Sequence, residues 1–420
     1  MCLKHIDISD KKKCCGCNVC AETCPKGCIE MLPDEMGAMY PHVDTKTCIE
    51  CGLCVRVCPF ENPSEPSQPI ECYAAINKNE EERLASSSGG VFNELARRTI
   101  DRGGVVFGAV FAKDWSVVHT YAETMDDVLP MMGSKYVQSD TNGIFSHAKR
   151  FLEEGREVLF TGTPCQIAGL KHYLRKDYSN LLAVEVICHG APMPGVWKAY
   201  LEETLARPKG VRDGKNTFSV HLNETPVITG ISFRDKRLGW KKYGLDLRLA
   251  SDSGGEKKSV STSVNTSDSC NSLYEPFTDN IYMKAFLCNW SLRPSCYACR
   301  AKGGTSQADM TIGDFWGVQN VEVVEDDDKG VSCVVCRTAR GVVALREIET
   351  CRFTQVDYQT ILRGNPSLEK SVILTDSAKR FQGQIPRMGY FRSFDKIAHP
   401  SIFIRGINSV KSKLKLLCTK

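Results

Sequence analysis

A chain of 420 residues, 42% hydrophobic and 25% charged, is long enough to bury more than one core, which excludes the small stapled scaffold that 22 cysteines would otherwise suggest. The formal net charge of +4 counts every thiol as neutral, and metal-bound thiolates would lower it, so the mild basicity carries no nucleic-acid signature and no nucleic-acid partner is expected. The start, "MCLKHIDISDKKKCC", has no apolar leader and no window reaches 18 apolar residues, so no transmembrane segment is expected and a reducing cytoplasm is the expected location.

Two near-identical cysteine combs come first in the chain, Cys14-x2-Cys17-x2-Cys20-x3-Cys24-Pro25 and Cys48-x2-Cys51-x2-Cys54-x3-Cys58-Pro59. Three thiolates at that spacing bend around one cubane, while the fourth, turned away before proline, reaches the other cluster. The spacing predicts crossed ligation: Cys14, Cys17, Cys20 and Cys58 hold one [4Fe-4S] cluster, and Cys48, Cys51, Cys54 and Cys24 hold the second. Zinc modules use paired-cysteine arms and do not need two interlocked triplets. Cys15 and Cys28 are spare to the combs and read as buried small side chains. Residues 29–47 read as a strand, a turn at Asp34-Glu35-Met36-Gly37 and a second strand, with Ile29, Val43 and Ile49 shielding the clusters. Residues 1–62 are therefore expected to form a two-cluster ferredoxin domain, and "PFENPSEPSQPIE" marks a linker over 63–80.

In "ASSSGGVFNELARRTIDRGG" the serine-glycine corner precedes an apolar-periodic run of Val91, Phe92, Leu95, Ala96 and Ile100, placing it at a helix amino terminus, where free N–H groups cap the helix or cradle a phosphate. "GGVVFGAVFAKDWSVVHTYAET" then reads as β-rich stretches between glycine turns. In "EVLFTGTPCQIAGLKHYL" a short buried strand, a tight turn and a helix over Ile167 to Leu174 present Cys165 at a strand-to-helix junction. "LLAVEVICHGAP" ends another strand at Cys188 and His189, and the carboxyl ends of adjacent strands are the usual place for a site. Cys296-x2-Cys299 is a half-site needing two more donors, which Cys165 and Cys188 supply; Cys288 is the competing donor, and zinc also suits four thiolates. Cys333 and Cys336 lie in an apolar run and read as buried thiols, while Arg234, Asp235, Lys236 and Arg237 read equally as a solvated charge run or as a surface for an acidic partner. The tail from about 345 reads as helices separated by Gly and Pro, and the lysine-leucine end, "INSVKSKLKLLCTK", raises contact with a membrane surface against a packed terminal helix.

The combs together with "SSSGG", "MMGSKYVQS", "GTPCQIAGL", "ICHG", "FRDKRLGWKKYG" and "RPSCYAC" followed by "ADMTIGDFWG" resemble the coenzyme F420 hydrogenase/dehydrogenase beta subunit family from about Ala85 to Trp316. The resemblance implies an α+β chain: the ferredoxin-type domain fused to an α/β flavin and iron-sulfur domain, its parts at 81–155 and 156–345, with a helical extension over 346–420. It implies FAD held by Ser87, Ser88, Gly89 and Gly90 and by Ser134, Lys135 and Tyr136, and a third [4Fe-4S] cluster on Cys165, Cys188, Cys296 and Cys299. Lys135 would polarise the flavin or neutralise its pyrophosphate, and His189 would relay a proton. The implied function is an oxidoreductase joining the clusters to FAD and to a small molecule or redox protein such as ferredoxin. Family relatives stand in surface-polysaccharide gene neighbourhoods, and a homo-oligomer is compatible with the chain. The alternative is a non-catalytic electron-transfer subunit of a larger complex. No G-x-G-x-x-G follows a predicted strand, so no dedicated nicotinamide domain is expected.

Overall fold

The computed structural model describes residues 5–206, 227–250 and 271–399. The tail read above as a membrane-contact candidate lies outside the described residues.

Each comb runs into a single helical turn, α1 (Val19–Glu22) or α2 (Leu53–Arg56), entered from a left-handed residue, Asn18 or Gly52. Between them β1 (Ile29–Pro33) and β2 (Met39–Val43) pair antiparallel, and the Asp34 carboxylate accepts the N–H groups of Met36 and Ala38 at 3.0 Å to close the turn. Ile29 and Val43 oppose each other in that register and pack among the comb cysteines. Ile49 does not shield a cluster: it is 56% exposed, in the extended run before Cys51.

The expected linker over 63–80 is a structural element instead. It contains β3 (Glu71–Asn77), a strand whose last four residues are all buried. The chain continues through α3 (Glu80–Ala85), α4 (Val91–Asp101), β4 (Val105–Phe111), β5 (Val117–Ala122), α5 (Met125–Val128), α6 (Ile144–Glu153), β6 (Val158–Gly162), α7 (Pro164–Leu174), β7 (Leu181–Val186) and α8 (Pro194–Ala206). After it come β8 (Val227–Asp235), β9 (Gly244–Ala250), β10 (Asn271–Pro276), α9 (Ile281–Leu287), β11 (Met310–Asp314), β12 (Ser332–Cys336) and β13 (Cys351–Gln355).

The main sheet has the order β13-β3-β12-β11-β7-β6-β4-β5. Its centre, β11-β7-β6-β4, is parallel, and the strands outside it pair antiparallel. Central strands covered on both faces need continuous apolar runs, and "VLF" in β6 and "LLAV" in β7 are buried at every residue. The tail differs from a purely helical extension, because β13 forms the sheet edge beside β3 before the helices Tyr358–Gly364, Asp376–Met388 and Tyr390–Ala398 follow. The smaller sheet, β10-β9-β8, is antiparallel and docks through aromatic contacts, with Trp197 of α8 4.9 Å from Tyr282 of α9 and 5.0 Å from Phe233 of β8. No helix among the described residues is long and apolar enough to cross a membrane.

Candidate functional site

Parallel central strands end on one edge, and there the molecule holds a cavity of about 550 Å3. Four cysteines from three segments meet at one end of it. Cys165 stands in the first turn of α7, which Pro164 starts and Gln166 caps by accepting the Thr163 N–H at 2.9 Å. Cys188 follows β7, and Cys296 and Cys299 flank the 3-10 turn Pro294–Ala298. Burial first, then the neighbouring Cys296, Cys165 and Cys299, push the Cys188 thiol well up. The Cys296 sulfur accepts the Ala191 N–H at 3.3 Å. Cys165 is held down at about 7, chiefly by the Cys15 thiol, against burial. Cys15 thus stands between Cys165 and Cys17, a bridging position that its reading as a spare small side chain missed. Cys288, the competing donor, caps α9 and does not line the cavity.

Two buried cations flank this set. The Lys302 ammonium donates to the carbonyls of Cys188 at 2.8 Å and Lys370 at 3.0 Å. Arg293, 1% exposed, donates to carbonyl and amide oxygens and faces Cys14. Among the described residues neither pairs with a carboxylate, and unpaired buried cations are costly. The thiols are the remaining anions in reach, so the donor set fits an anionic metal–thiolate group.

At the other end stands the Ser86–Gly90 loop. Ser87 Oγ accepts the Ser134 N–H at 2.7 Å, joining the two segments. Lys236 braces the loop from behind, donating to the carbonyls of Arg83, Ser88 and Lys329. Ser87, Ser88, Gly90, Ser134, Lys135 and Tyr136 all line the cavity, with Gly90 as the amino-terminal cap of α4. Gly89 does not line it. A Cβ there would come within 2.2 Å of the Ala75 carbonyl, so close packing on β3 requires the glycine. The Lys135 ammonium donates to the carbonyls of Met131, Met132 and Gly133, which organises its own loop, and burial depresses it to about 7. Tyr136 stacks on Phe286 at 4.7 Å, and its hydroxyl accepts from Arg234 at 3.1 Å.

Arg234 is not part of a solvated charge run. It is buried, bonded twice to Asp314 at 2.6 and 3.1 Å, and its Nε is buried without a partner on the cavity wall. That open donor, the serine loop and the aromatic wall suit a ligand with both acceptor groups and a flat ring. His189 lies on the wall between, its Nε2 2.6 Å from Asn289 Oδ1 and its ring edge-on to Phe286 at 5.1 Å. Burial holds its pKa below the usual value, and donation to Asn289 leaves Nδ1 as the acceptor.

The combs lie beside this cavity. Burial first, then Cys17, Cys14 and Cys58, push the Cys20 thiol well up, while Cys54 is raised by burial and then by Cys24 and Cys51. The last cysteine of each comb therefore stands with the other triplet. Cys28 touches Cys24 at 3.4 Å, beside the outer set rather than simply buried. Cys333 and Cys336 point to opposite faces of β12, into separate cores.

His119, on the cavity wall, gives a prediction of its own. It bonds Ser139 at 2.9 Å and the Thr161 carbonyl at 3.0 Å, and burial holds it at about 4. With the folded value below the unfolded one near 6.5, its contribution is present above that value and lost as pH falls through it. About 2 kcal/mol should be lost by pH 5. His119→Gln should flatten that pH dependence of the unfolding midpoint; an unchanged slope would remove the assignment.

Two cysteine combs joined to a cavity at the carboxyl edge of an α/β sheet define an iron–sulfur electron-transfer protein. The chain belongs to the coenzyme F420 hydrogenase/dehydrogenase beta subunit family: residues 155–358 match the family's C-terminal region, and residues 13–62 match the 4Fe-4S dicluster domain. Among solved structures, the F420-reducing [NiFe] hydrogenase complex from Methanosarcina barkeri contains a chain that superposes with a TM-score of 0.43 at 14% identity, covering 76% of this chain and 94% of that one. No curated protein sequence matches the chain.

Proposed function

We propose that the chain is an iron–sulfur flavoprotein oxidoreductase with three [4Fe-4S] clusters and one FAD. One observation carries the reading: a single cavity joins Cys165, Cys188, Cys296 and Cys299 to the serine loop, Tyr136 and the open Arg234 donor. When bound, the clusters would supply one-electron transfer and FAD would couple it to two-electron chemistry. Ser87, Ser88, Gly90 and Ser134 would bind phosphate oxygens, Tyr136 and Phe286 would pack a flat ring, and Lys302 and Arg293 would balance the thiolates. His189 Nδ1 would hold or accept the proton. Anaerobic purification should return about 12 iron, about 12 acid-labile sulfide and one FAD per chain. Eight iron with stoichiometric zinc would overturn the third cluster, and a flavin-free loaded protein would overturn the FAD site.

The crossed ligation belongs to this proposal, supported by the thiol neighbours of Cys20 and Cys54. Cys24→Ser should damage the cluster of the Cys48 comb, and Cys58→Ser that of the Cys14 comb. Paramagnetic resonance showing each change disabling its own triplet would refute it. The physiological donor or acceptor is a redox protein or a small molecule in a reducing cytoplasm; an acceptor from surface-polysaccharide synthesis rests on the family resemblance. The exposed Cys51 and Ile49 favour a protein partner at the outer comb, as a subunit of a larger complex would have. Reduced ferredoxin mixed with candidate organic acceptors separates the cases, since turnover supports the reductase and electron exchange without product supports the subunit.

A further inference from the structure

Arg293 is anchored in both halves of the molecule. Its carbonyl accepts the Cys296 N–H at 3.0 Å and its own N–H donates to Ala191 at 2.9 Å, so its backbone belongs to the scattered cysteine set. Its side chain belongs to the first comb: Nε donates to the Cys14 carbonyl at 2.8 Å, and Nη2 donates to the Met39 carbonyl at 2.7 Å and lies 3.6 Å from Cys14 Sγ. Nη1 donates to Gln138 Oε1 at 3.1 Å, and Gln138 in turn donates to the Cys15 carbonyl at 2.9 Å. Gly16 makes room, because a Cβ at that positive φ would lie 2.7 Å from Nη1. On the far side Cys17 packs against Gly169 of α7, two turns or less from Cys165.

The other comb has no such cation. Its sulfurs accept backbone N–H groups, Ile6 to Cys54 at 3.2 Å and Glu50 to Cys48 at 3.4 Å. Its nearby arginine, Arg56, is exposed and reaches only the Cys51 carbonyl. Cys51 is itself exposed, whereas Cys17 and Cys20 are buried. Burial alone disfavours added negative charge, so the inner set, Cys14, Cys17, Cys20 and Cys58, would be the poorer electron acceptor of the two. A fixed cation in a low-dielectric interior opposes that penalty, and water screens it little.

We infer that Arg293 selectively raises the electron affinity of the inner cysteine set, so that a reducing equivalent arriving at the exposed comb is drawn inward toward Cys165, Cys188, Cys296 and Cys299. The inference rests on the crossed ligand assignment of the proposed function, but it needs neither FAD nor the third cluster.

The test is a redox titration of the full chain read by paramagnetic resonance, with Cys51→Ser identifying the outer signal and Cys165→Ser any third one. In the unmodified chain the inner signal should reduce at the higher potential. Arg293→Gln should lower the inner reduced-to-oxidised ratio at fixed potential at least tenfold, equivalent to about 59 mV for one electron, and move the outer ratio less than twofold. Arg293→Lys, which keeps the charge and loses the planar fork, should stay within about threefold of the unmodified chain. Equal shifts of the two signals, or an inner shift as large in the lysine variant, would overturn the inference. If neither variant loads its inner set, the unmodified chain decides, and an inner signal at or below the outer potential overturns it. A preparation with eight iron and no flavin would sink the proposed function while leaving this comparison intact.

Discussion

Cys165→Ser is expected to remove about four of about 12 iron per chain, leave both ferredoxin-type signals in place, and abolish reduction of any flavin in the cavity. The contrast follows from where the ligands are. The comb cysteines are close in sequence and fold with their own short strands, whereas Cys165, Cys188 and the Cys296–Cys299 pair meet only when the carboxyl edge of the sheet has formed. Cys188→Ser, Cys296→Ser and Cys299→Ser should behave alike, softened where a serine oxygen still ligates iron. Cys288→Ser should be nearly silent, because Cys288 does not line the cavity. Loss of the third cluster in Cys288→Ser with retention in Cys165→Ser would reassign the donor. Retention of all iron in Cys165→Ser with lost turnover would make Cys165 a substrate-facing thiol.

The second large effect is expected at Arg234 and Asp314. Their buried pair joins β8 of the small sheet to β11 of the main one, and Trp240 adds a bond from its indole N–H to Asp314 at 2.8 Å. Removing one member strands the other without its counter-charge, which costs about 3–5 kcal/mol. Arg234→Met or Asp314→Leu alone should therefore lower the denaturation midpoint sharply, and the double variant should recover most of the loss. Arg234→Met should also weaken flavin retention, since the guanidinium contacts the Tyr136 hydroxyl and the Ser87 carbonyl. Additive losses in the cycle would show that the pair is solvated in solution.

The sequence reveals these features unevenly. The combs are legible because their spacing is the ligand geometry, and the Cys165 and Cys188 positions are legible because each ends a short apolar strand. Arg234 was obscured by its neighbours: "FRDKR" resembles a solvated run, and its partner Asp314 is 80 residues away. Arg293 carries no local signal either, since its meaning comes from Cys14, 279 residues earlier. Cys15 looked spare because its second neighbour, Cys165, is equally remote. Prolines on either side hid β3, and the seven residues "ECYAAIN" are too short to declare a strand by periodicity alone.

That strand has a consequence for the order of events during synthesis. β3 pairs with β12 on one side and β13 on the other, so Ala75 waits for Ser332 and Phe353 before it has both partners. At about 5–20 residues per second, the delay between making β3 and making its second neighbour is on the order of 10–60 s. The comb cysteines are complete once Cys58 has been added, and the scattered set once Cys299 has been added. For most of that interval the nascent chain carries finished comb motifs on an unfinished sheet, so iron and sulfide delivery to the combs has a window that closes before the inner face is covered by α7 and Arg293.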